Sequence, residues 1–276
     1  IPEWHLDDLM SSWAAPEGSV GPHIDLYDVF ILQGEGKRRW QISTAAVAED
    51  NVIPDVAIRL QKDFTPEFEW ILEPGDMMYL PAGVSHHGIS IGESSSYSIG
   101  FKANSHTDLV NDFIASITQD LSINKTYHLP EGALTARPNE ISAAAIEEVR
   151  NVFRDYLDPQ SPQLARWFGQ FVSDSKVDYL NDCEQPVNDL LQLKQLLIEE
   201  RAVLLRHPAS RFAFIDSDRD FLLFIDGQDF SVSEEFATTL CAQREVDLEQ
   251  LISCASADEQ DFIINLYNSG KLYLSS

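Results

Sequence analysis

The chain has 276 residues, 44% of them hydrophobic, which is enough to bury the core of one large domain or of two to three small ones. Asp and Glu number 45 against 19 Lys and Arg, so the formal charge is −26, which argues against direct contact with nucleic acid or anionic membranes and favours a basic partner. The three cysteines lack metal-binding spacing. No apolar run approaches a membrane span, which takes about 20 residues. These features predict a cytoplasmic globular protein.

The first part of the chain, residues 1–105, consists of short apolar runs that Gly and Pro interrupt. Such runs are typical of antiparallel strands in a β-sandwich or β-barrel. Residues 94–96, three serines, are interpreted as a polar loop. The chain begins inside the strand pattern, and we expect a further N-terminal segment to precede Ile1. The predicted strands lie at residues 8–14, 28–34, 38–43, 68–76, 77–81, 88–91 and 96–103.

A helical period replaces the strand pattern after this first part. Helices are predicted in residues 105–121, 139–157 and 161–175, and together they form a small helical domain. The aromatic residues Trp167 and Phe171 are spaced for one helix face and fit either a core or a subunit interface. Because the apolar helix face is broad for so small a domain, we expect a homodimer through these helices.

The last part of the chain combines helices with paired strands in an order that resembles a winged-helix arrangement. The sequence therefore predicts an α+β chain of three domains, at residues 1–105, 106–185 and 186–276. The elements predicted in the last domain are a helix at 187–196, strands at 211–217 and 220–230, helices at 234–243, 248–255 and 257–270, and a strand at 271–276.

His23 and Asp25 are two positions apart in a segment that reads as one buried strand. Alternate residues of a strand point to the same face, so both side chains are predicted to lie on the face that Tyr27, Val29 and Ile31 continue inward. An imidazole and a carboxylate on one face can bind a metal ion. A lone His-x-Asp pair also arises by chance, and the alternative is a histidine at a strand end that bonds its neighbour.

A second segment, residues 73–88, strengthens the metal hypothesis. Turns predicted at residues 74–76 and 81–83 enclose a short apolar strand. The second turn places His86 at the start of the next strand. Two histidines and one carboxylate form the facial triad, which leaves positions open on an octahedral Fe(II) ion. His87 is the competing ligand, but adjacent strand residues face opposite ways, and the spacing from the turn favours His86.

These segments together resemble the cupin-type double-stranded β-helix and, within it, the JmjC 2-oxoglutarate oxygenases. The resemblance is close to the bacterial ribosomal oxygenases that hydroxylate an arginine of the sixteenth large-subunit ribosomal protein. It implies a catalytic barrel, a helical dimerisation domain and a winged-helix-like domain, in that order. The stretches that carry the resemblance are residues 21–40, 72–88 and 97–101, with further matches at 3–10, 167–171 and 266–270.

The resemblance implies that His23, Asp25 and His86 hold Fe(II), with 2-oxoglutarate as cofactor and dioxygen as co-substrate. It also implies that Arg38 binds the far carboxylate of 2-oxoglutarate. A dicarboxylate that chelates iron at one end needs a fixed positive charge at the other, and Arg offers a two-pronged donor. Lys37 and Arg39 are expected to point the other way. The alternative interpretation of these three cations is a solvated hairpin end.

The implied substrate is a basic ribosomal protein, which an acidic surface attracts. An arginine substrate needs carboxylates or hydroxyls near the mouth of the site, and Tyr27 and Asp28 are candidates by position. Asp28 has the opposite parity to Asp25, so an outward surface charge is its alternative interpretation. Two other functions stay open: a cupin metalloenzyme that uses Mn, Zn or Ni on a small molecule, and a non-catalytic acidic adaptor on a cupin scaffold.

Overall fold

The computed structural model forms two compact units, Ile1–His106 and Thr107–Ser276. The predicted boundary at residue 185, within the second unit, remains a prediction. Among the described helices, none combines the length and the apolar character needed to cross a lipid bilayer. The structure describes residues 1–101, 104–119, 125–134, 137, 139–175, 183, 185–216 and 221–275.

The first unit is a sandwich of two antiparallel sheets. Its strands are β1 (Asp8–Ala14), β2 (His23–Ile24), β3 (Asp28–Gln33), β4 (Lys37–Ser43), β5 (Arg59–Leu60), β6 (Phe68–Leu72), β7 (Met77–Leu80), β8 (Ser85–Ile91) and β9 (Ser94–Phe101). One sheet has the order β1-β9-β3-β7 and the other the order β5-β2-β8-β4-β6. This arrangement is the double-stranded β-helix that the sequence predicts.

The sandwich core lies between the two sheets, where alternate residues of each strand point inward. In β3, Val29, Ile31 and Gln33 are buried while their neighbours are partly exposed, as the alternating pattern predicts. Trp40 and Ile42 of β4 meet them from the opposite sheet. Apolar side chains on one face of each sheet are therefore what joins the two layers.

The prediction that His23, Asp25 and Tyr27 share one strand with Val29 and Ile31 is wrong. Strand β2 ends at Ile24, and β3 begins at Asp28 in the other sheet. The chain crosses between the sheets in the intervening residues. An apolar sequence pattern reports burial but does not reveal such a crossing, because residues on both sides of it face the same core.

The interpretation of residues 94–96 as a polar loop is also wrong. These serines open strand β9, which lies between β1 and β3 in the sheet. Ser94 and Ser96 are buried and point to the inner side of the sandwich. Short hydroxyl side chains are accepted there because each finds a hydrogen-bond partner, at 2.7 Å between Ser94 Oγ and Ser90 Oγ and 2.9 Å between Ser96 Oγ and Ser12 Oγ.

The second unit contains the predicted helices and the strands of the winged-helix region. Its helices are α1 (His106–Thr118), α2 (Ala143–Tyr156), α3 (Pro162–Ser173), α4 (Leu190–Glu200), α5 (Glu234–Cys241), α6 (Leu248–Cys254) and α7 (Ala257–Asn268). Its strands are β10 (Val203–Arg206), β11 (Phe212–Asp216), β12 (Phe221–Ile225), β13 (Gln228–Ser231) and β14 (Leu272–Ser275). Residues 120–121 of the first predicted helix lie outside the described residues.

The segment predicted as one strand at 220–230 is a hairpin of β12 and β13. Its two-residue turn, Asp226 and Gly227, has positive φ values of 48° and 79°. An Asp-Gly pair at such a turn is typical of tight hairpins, because both residues tolerate the left-handed conformation. The core of this unit includes Leu223 and Phe236, which are fully buried between the sheet and the helices.

Candidate metal centre

Two histidines stand side by side at the pairing of β2 with β8. His23 and His86 are directly opposed in this ladder, so their side chains share the inner face. Their ring centroids lie 4.2 Å apart at an interplanar angle of 61°. The third sequence-predicted residue, Asp25, follows β2 where the chain turns away from the sheet.

Backbone hydrogen bonds fix the orientation of both imidazole rings. His23 Nδ1 lies 2.9 Å from the carbonyl oxygen of Gly21, and His86 Nδ1 lies 3.0 Å from that of Val84. A carbonyl can only accept, so each Nδ1 donates its proton, and in the neutral imidazole each Nε2 then keeps a free lone pair. Metal-binding histidines are commonly held in this way. Both Nε2 atoms are thus ready to bind a cation.

Asp25 completes the group. Its Oδ2 lies 3.4 Å from His86 Nε2, and one ligand atom from each of Asp25, His23 and His86 lies within 4.8 Å of the others. The backbone is held because Gly83 N–H donates to the Asp25 carbonyl at 2.7 Å. Gly83 has a φ of 80°, which favours glycine at this turn. Two imidazole nitrogens and one carboxylate converging on one point fit a divalent metal ion.

The electrostatics of the group keep it in the metal-binding protonation state. Burial lowers the pKa of His23, and the nearby His86 lowers it further, against opposing contributions from Gly21 and Asp25. For Asp25, burial opposes ionisation, but the hydrogen bond and positive charge of His86, when a proton occupies its Nε2 in the metal-free group, outweigh it, so the pKa lies below its usual value. A neutral imidazole and an ionised carboxylate are the forms that bind metal.

The neighbouring His87 lies apart from this group. In the β4–β8 ladder His86 is opposite Ile42 and His87 is opposite Gln41, so the two histidines point to opposite faces. The ring of His87 instead packs edge-on against Phe64, with 6.0 Å between the centroids. The alternation argument from the sequence therefore selects the histidine that the structure brings to Asp25.

Arg38 lies on the face of β4 that points into the sandwich, and its side chain reaches across to the other sheet. Its Nη1 donates to Ser96 Oγ at 2.9 Å and lies 3.4 Å from Ser12 Oγ. Burial lowers the pKa of Arg38, and its Nε is buried without a hydrogen-bond partner. Within the described part of the chain no carboxylate pairs with this guanidinium. A half-buried cation among hydroxyls, without a counter-ion, fits an anionic ligand group.

The cations that flank Arg38 are separated from it by strand alternation. Lys37 is exposed and forms a surface ion pair with Glu73. Arg39 takes the face opposite to Arg38 and Trp40. The sequence did not predict that the hydroxyls of Ser12 and Ser96 lie beside Arg38. Their signal was weak, because small polar residues at alternate strand positions are frequent on exposed faces as well.

The two residues predicted to contact substrate lie in different surroundings. Tyr27 packs against the sandwich core, and its pKa is raised by burial and then by the negative charges of Asp25, Asp8 and Asp7. Asp28 accepts a hydrogen bond from Tyr79 Oη at 2.7 Å, so the protein itself already engages its carboxylate. Tyr27 lies near enough to the metal group for the charge of Asp25 to act on its pKa.

A double-stranded β-helix that carries His-x-Asp on one strand end and a distal histidine on its neighbour belongs to the cupin class of metal-binding folds. Comparison with known families narrows this class. A JmjC domain matches residues 1–109, and a ROXA-like winged helix matches residues 157–273. The chain therefore carries a JmjC domain followed by a ROXA-like winged helix.

Curated relatives with similar sequences include ribosomal oxygenases. The chain is 34% identical over 178 residues to the ribosomal protein uL16 3-hydroxylase of Escherichia coli, in an alignment that covers 64% of this chain and 47% of that protein. It is 37% identical over 112 residues to a probable ribosomal oxygenase of Haemophilus influenzae, covering 40% of this chain and 28% of the relative. The alignments thus span less than half of each relative.

Solved structures of a ribosomal oxygenase are similar to this chain over its whole length. The crystal structure of the Escherichia coli ribosomal oxygenase YcfD superposes with a TM-score of 0.79 at 28% identity, covering 100% of this chain and 72% of that one. A structure of YcfD in complex with cobalt and 2-oxoglutarate matches with a TM-score of 0.78 at 26% identity and the same coverage.

Proposed function

We propose that this chain is an Fe(II)- and 2-oxoglutarate-dependent protein hydroxylase that acts on an arginine of a large-subunit ribosomal protein. One observation carries the proposal. One ligand atom from each of His23, Asp25 and His86 lies within 4.8 Å of the others, and the β4–β8 ladder that carries His86 also carries the half-buried Arg38. A metal ligand set beside a cation that has no carboxylate partner among the described residues fits an acid that chelates metal at one end and carries a carboxylate at the other.

The roles of the site residues follow from this arrangement. His23, Asp25 and His86 would hold the iron through two imidazole nitrogens and one carboxylate. Arg38 binds the distal carboxylate of 2-oxoglutarate, and the hydroxyl of Ser96 holds the guanidinium in place at 2.9 Å. When bound, iron, 2-oxoglutarate and dioxygen supply the chemistry, in which one oxygen atom enters the substrate and the keto acid leaves as succinate and carbon dioxide.

The relatives support both the cofactors and the substrate. A structure of YcfD contains cobalt and 2-oxoglutarate, and another contains cobalt and succinic acid, which are a substitute metal with the co-substrate and its product. The curated relative from Escherichia coli is named for 3-hydroxylation of ribosomal protein uL16. We transfer these properties to the chain because the residues that would bind metal and keto acid are all present.

A cationic substrate fits the surroundings of the site. Asp7, Asp8 and Asp25 all act on the pKa of Tyr27, so negative charge accumulates beside the metal group. The formal charge of the chain is −26. Charge of this sign attracts a basic ribosomal protein and its arginine side chain, and it argues against direct binding of nucleic acid. We place the protein in the cytoplasm, where such a substrate is made.

We further propose that the chain forms a homodimer through its helical region. Helix α2 contains no buried residue, although Ile146, Val149 and Phe153 form an apolar stripe along it. Phe153 is 58% exposed. A stripe of this kind normally packs against another element. Replacing Phe153 with Glu should convert a dimer to a monomer in sedimentation experiments, and an unchanged sedimentation coefficient would contradict this interface.

The proposed activity is tested by incubating the chain with Fe(II), 2-oxoglutarate, dioxygen and purified large-subunit ribosomal proteins. We expect succinate in equal amount to a product that has gained one oxygen atom, located on an arginine by fragmentation mass spectrometry. Asp25→Ala should abolish both, while the control His87→Ala should retain them. Turnover that persists in Asp25→Ala, or a wild type that forms neither product, would contradict the proposal.

A further inference from the structure

One large side chain occupies the strand ladder between the metal group and Arg38. Opposed residues in antiparallel strands share a face, so the ladder forms successive rows on the inner side of the sandwich. Trp40 stands in the row between those of Arg38 and His86. The opposed pairs of β4 and β8 are Arg38 with Ser90, Trp40 with Gly88, and Ile42 with His86.

The ring of Trp40 lies close to both the metal group and Arg38. Its ring centroid lies 6.0 Å from that of His86, and the Cζ atom of Arg38 lies 5.8 Å from the ring. Trp40 is only 5% exposed. Its indole N–H and the Nε of Arg38 are both buried without a hydrogen-bond partner in the part of the chain that is described. Buried donors are normally satisfied, so two of them here indicate a polar ligand.

The indole ring of Trp40 packs directly against Gly88 on the neighbouring strand β8. A Cβ atom on Gly88 would lie 2.8 Å from Cη2, 2.9 Å from Cζ3 and 3.0 Å from Cζ2 of Trp40. Real side chains do not approach so closely, so the benzene ring of Trp40 rests on the bare backbone of Gly88. Any larger residue at this position would displace the ring away from β8.

We propose that Trp40, seated on Gly88, is the floor of the 2-oxoglutarate site and sets the length of keto acid that fits between the metal and Arg38. This inference rests on the proposed function. A keto acid that reaches from the metal group to Arg38 must pass over the ring of Trp40, which stands in the row between them. Pockets of this kind distinguish ligands that differ by one methylene by about 10- to 200-fold.

The length selectivity is tested by replacing Trp40 with Phe. Isothermal titration of the Co(II)-loaded chain gives the affinities for 2-oxoglutarate and for 2-oxoadipate, which is one methylene longer. Because the smaller ring leaves a deeper space, we expect the ratio of the two affinities to shift by about tenfold toward the longer acid. A ratio equal to that of the wild type would overturn the proposal.

The role of the glycine is tested by Gly88→Ala. We expect the added methyl to push the indole toward the ligand and to weaken 2-oxoglutarate binding by about tenfold, with Co(II) affinity unchanged. The double variant of Gly88→Ala with Trp40→Phe should bind 2-oxoglutarate as tightly as Trp40→Phe alone, because the smaller Phe ring leaves room for the added methyl. Unchanged 2-oxoglutarate binding, or equal losses for Co(II) and 2-oxoglutarate, would overturn the proposal. If Gly88→Ala fails to fold, the Trp40→Phe ratio decides.

The wild type separates failure of this inference from failure of the proposed function. A wild-type chain that binds Co(II) but not 2-oxoglutarate would overturn both. A wild-type chain that binds 2-oxoglutarate, together with a Trp40→Phe variant of unaltered selectivity, would overturn the length-setting role alone.

Discussion

The Nε2 atom of His86 and the Oδ2 atom of Asp25 face each other at 3.4 Å, and both carry lone pairs. In the neutral imidazole, Nε2 has this lone pair because the ring proton is on Nδ1, which donates to the carbonyl of Val84. Two acceptors held this close repel each other unless a proton or a cation lies between them. His23 brings a third acceptor to the same point, and three convergent acceptors fit a bound metal ion.

The choice between the two adjacent histidines gives the first prediction. His86→Ala removes one of three ligands and should reduce Co(II) affinity by at least about 100-fold, since even supporting residues of metal sites account for 10- to 100-fold. His87→Ala is the matched control and should bind Co(II) as the wild type does, because its ring packs on Phe64. Titration calorimetry measures both. Equal losses in the two variants would contradict the assignment.

Arg38 is predicted to affect the keto acid and not the metal. Arg38→Ala should raise the dissociation constant for 2-oxoglutarate by about 100-fold, because charge-assisted hydrogen bonds contribute about 1.5 to 3 kcal/mol. Arg38→Lys should fall between wild type and Ala, since it keeps the charge but not the two-pronged geometry. Calorimetry in the presence and absence of 2-oxoglutarate separates the effects. A comparable loss of Co(II) affinity would argue for a purely structural role.

Gly169 of α3 should tolerate no side chain. An added Cβ would lie 2.3 Å from the nearest ring atom of Phe224, which is fully buried in β12. Although Ala normally stabilises a helix relative to Gly by about 1 kcal/mol, overpacking of a core costs about 1 to 3 kcal/mol. We expect Gly169→Ala to lower the melting temperature and Phe224→Leu in the same chain to restore part of the loss. A melting temperature raised by Gly169→Ala alone would contradict the packing.

Glu259 should make the winged-helix unit sensitive to acid. Its carboxylate accepts from the backbone N–H of Ser233 at 2.6 Å and of Ser256 at 2.8 Å. Burial opposes its ionisation, but these hydrogen bonds outweigh it and hold the pKa below the usual value. The stabilisation is thus complete above the unfolded pKa of about 4.3 and is lost as the pH falls through the lower folded pKa.

The matching variant is Glu259→Gln, which should cost about 1 kcal/mol of unfolding free energy at neutral pH and nothing once wild-type Glu259 is protonated. Denaturant unfolding at several pH values measures the difference. Asp258→Asn, at an exposed neighbouring position, is the control and should show no such trend. A deficit of Glu259→Gln that persists unchanged in acid would contradict this account.

Local sequence patterns were sufficient to predict much of this fold. The alternation of buried and partly exposed residues from Val29 to Gln33 is readable because one face of β3 meets the core. The turn before His86 and the parity of His86 and His87 are equally local properties. The crossing between β2 and β3 was not predictable in this way, because both strands face the same interior.

The remainder of the site depends on register between strands that are far apart in sequence. Ser12 and Ser96 meet near Arg38 only because β1 pairs with β9 and the two sheets stack. Trp40 meets Gly88 for the same reason. No local pattern encodes which residues of distant strands are opposed, since that is decided by the packing of the whole sandwich.

The central claim is that one iron and one 2-oxoglutarate meet at His23, Asp25 and His86. Anaerobic titration of the chain with Fe(II) and 2-oxoglutarate, followed by visible absorption, tests it most directly, because a keto acid that chelates Fe(II) through two oxygens produces a metal-to-ligand charge-transfer band. We expect a band that requires both additions, saturates at one of each per chain and is absent from Asp25→Ala. No band in the wild type, or an equal band in Asp25→Ala, would contradict the account.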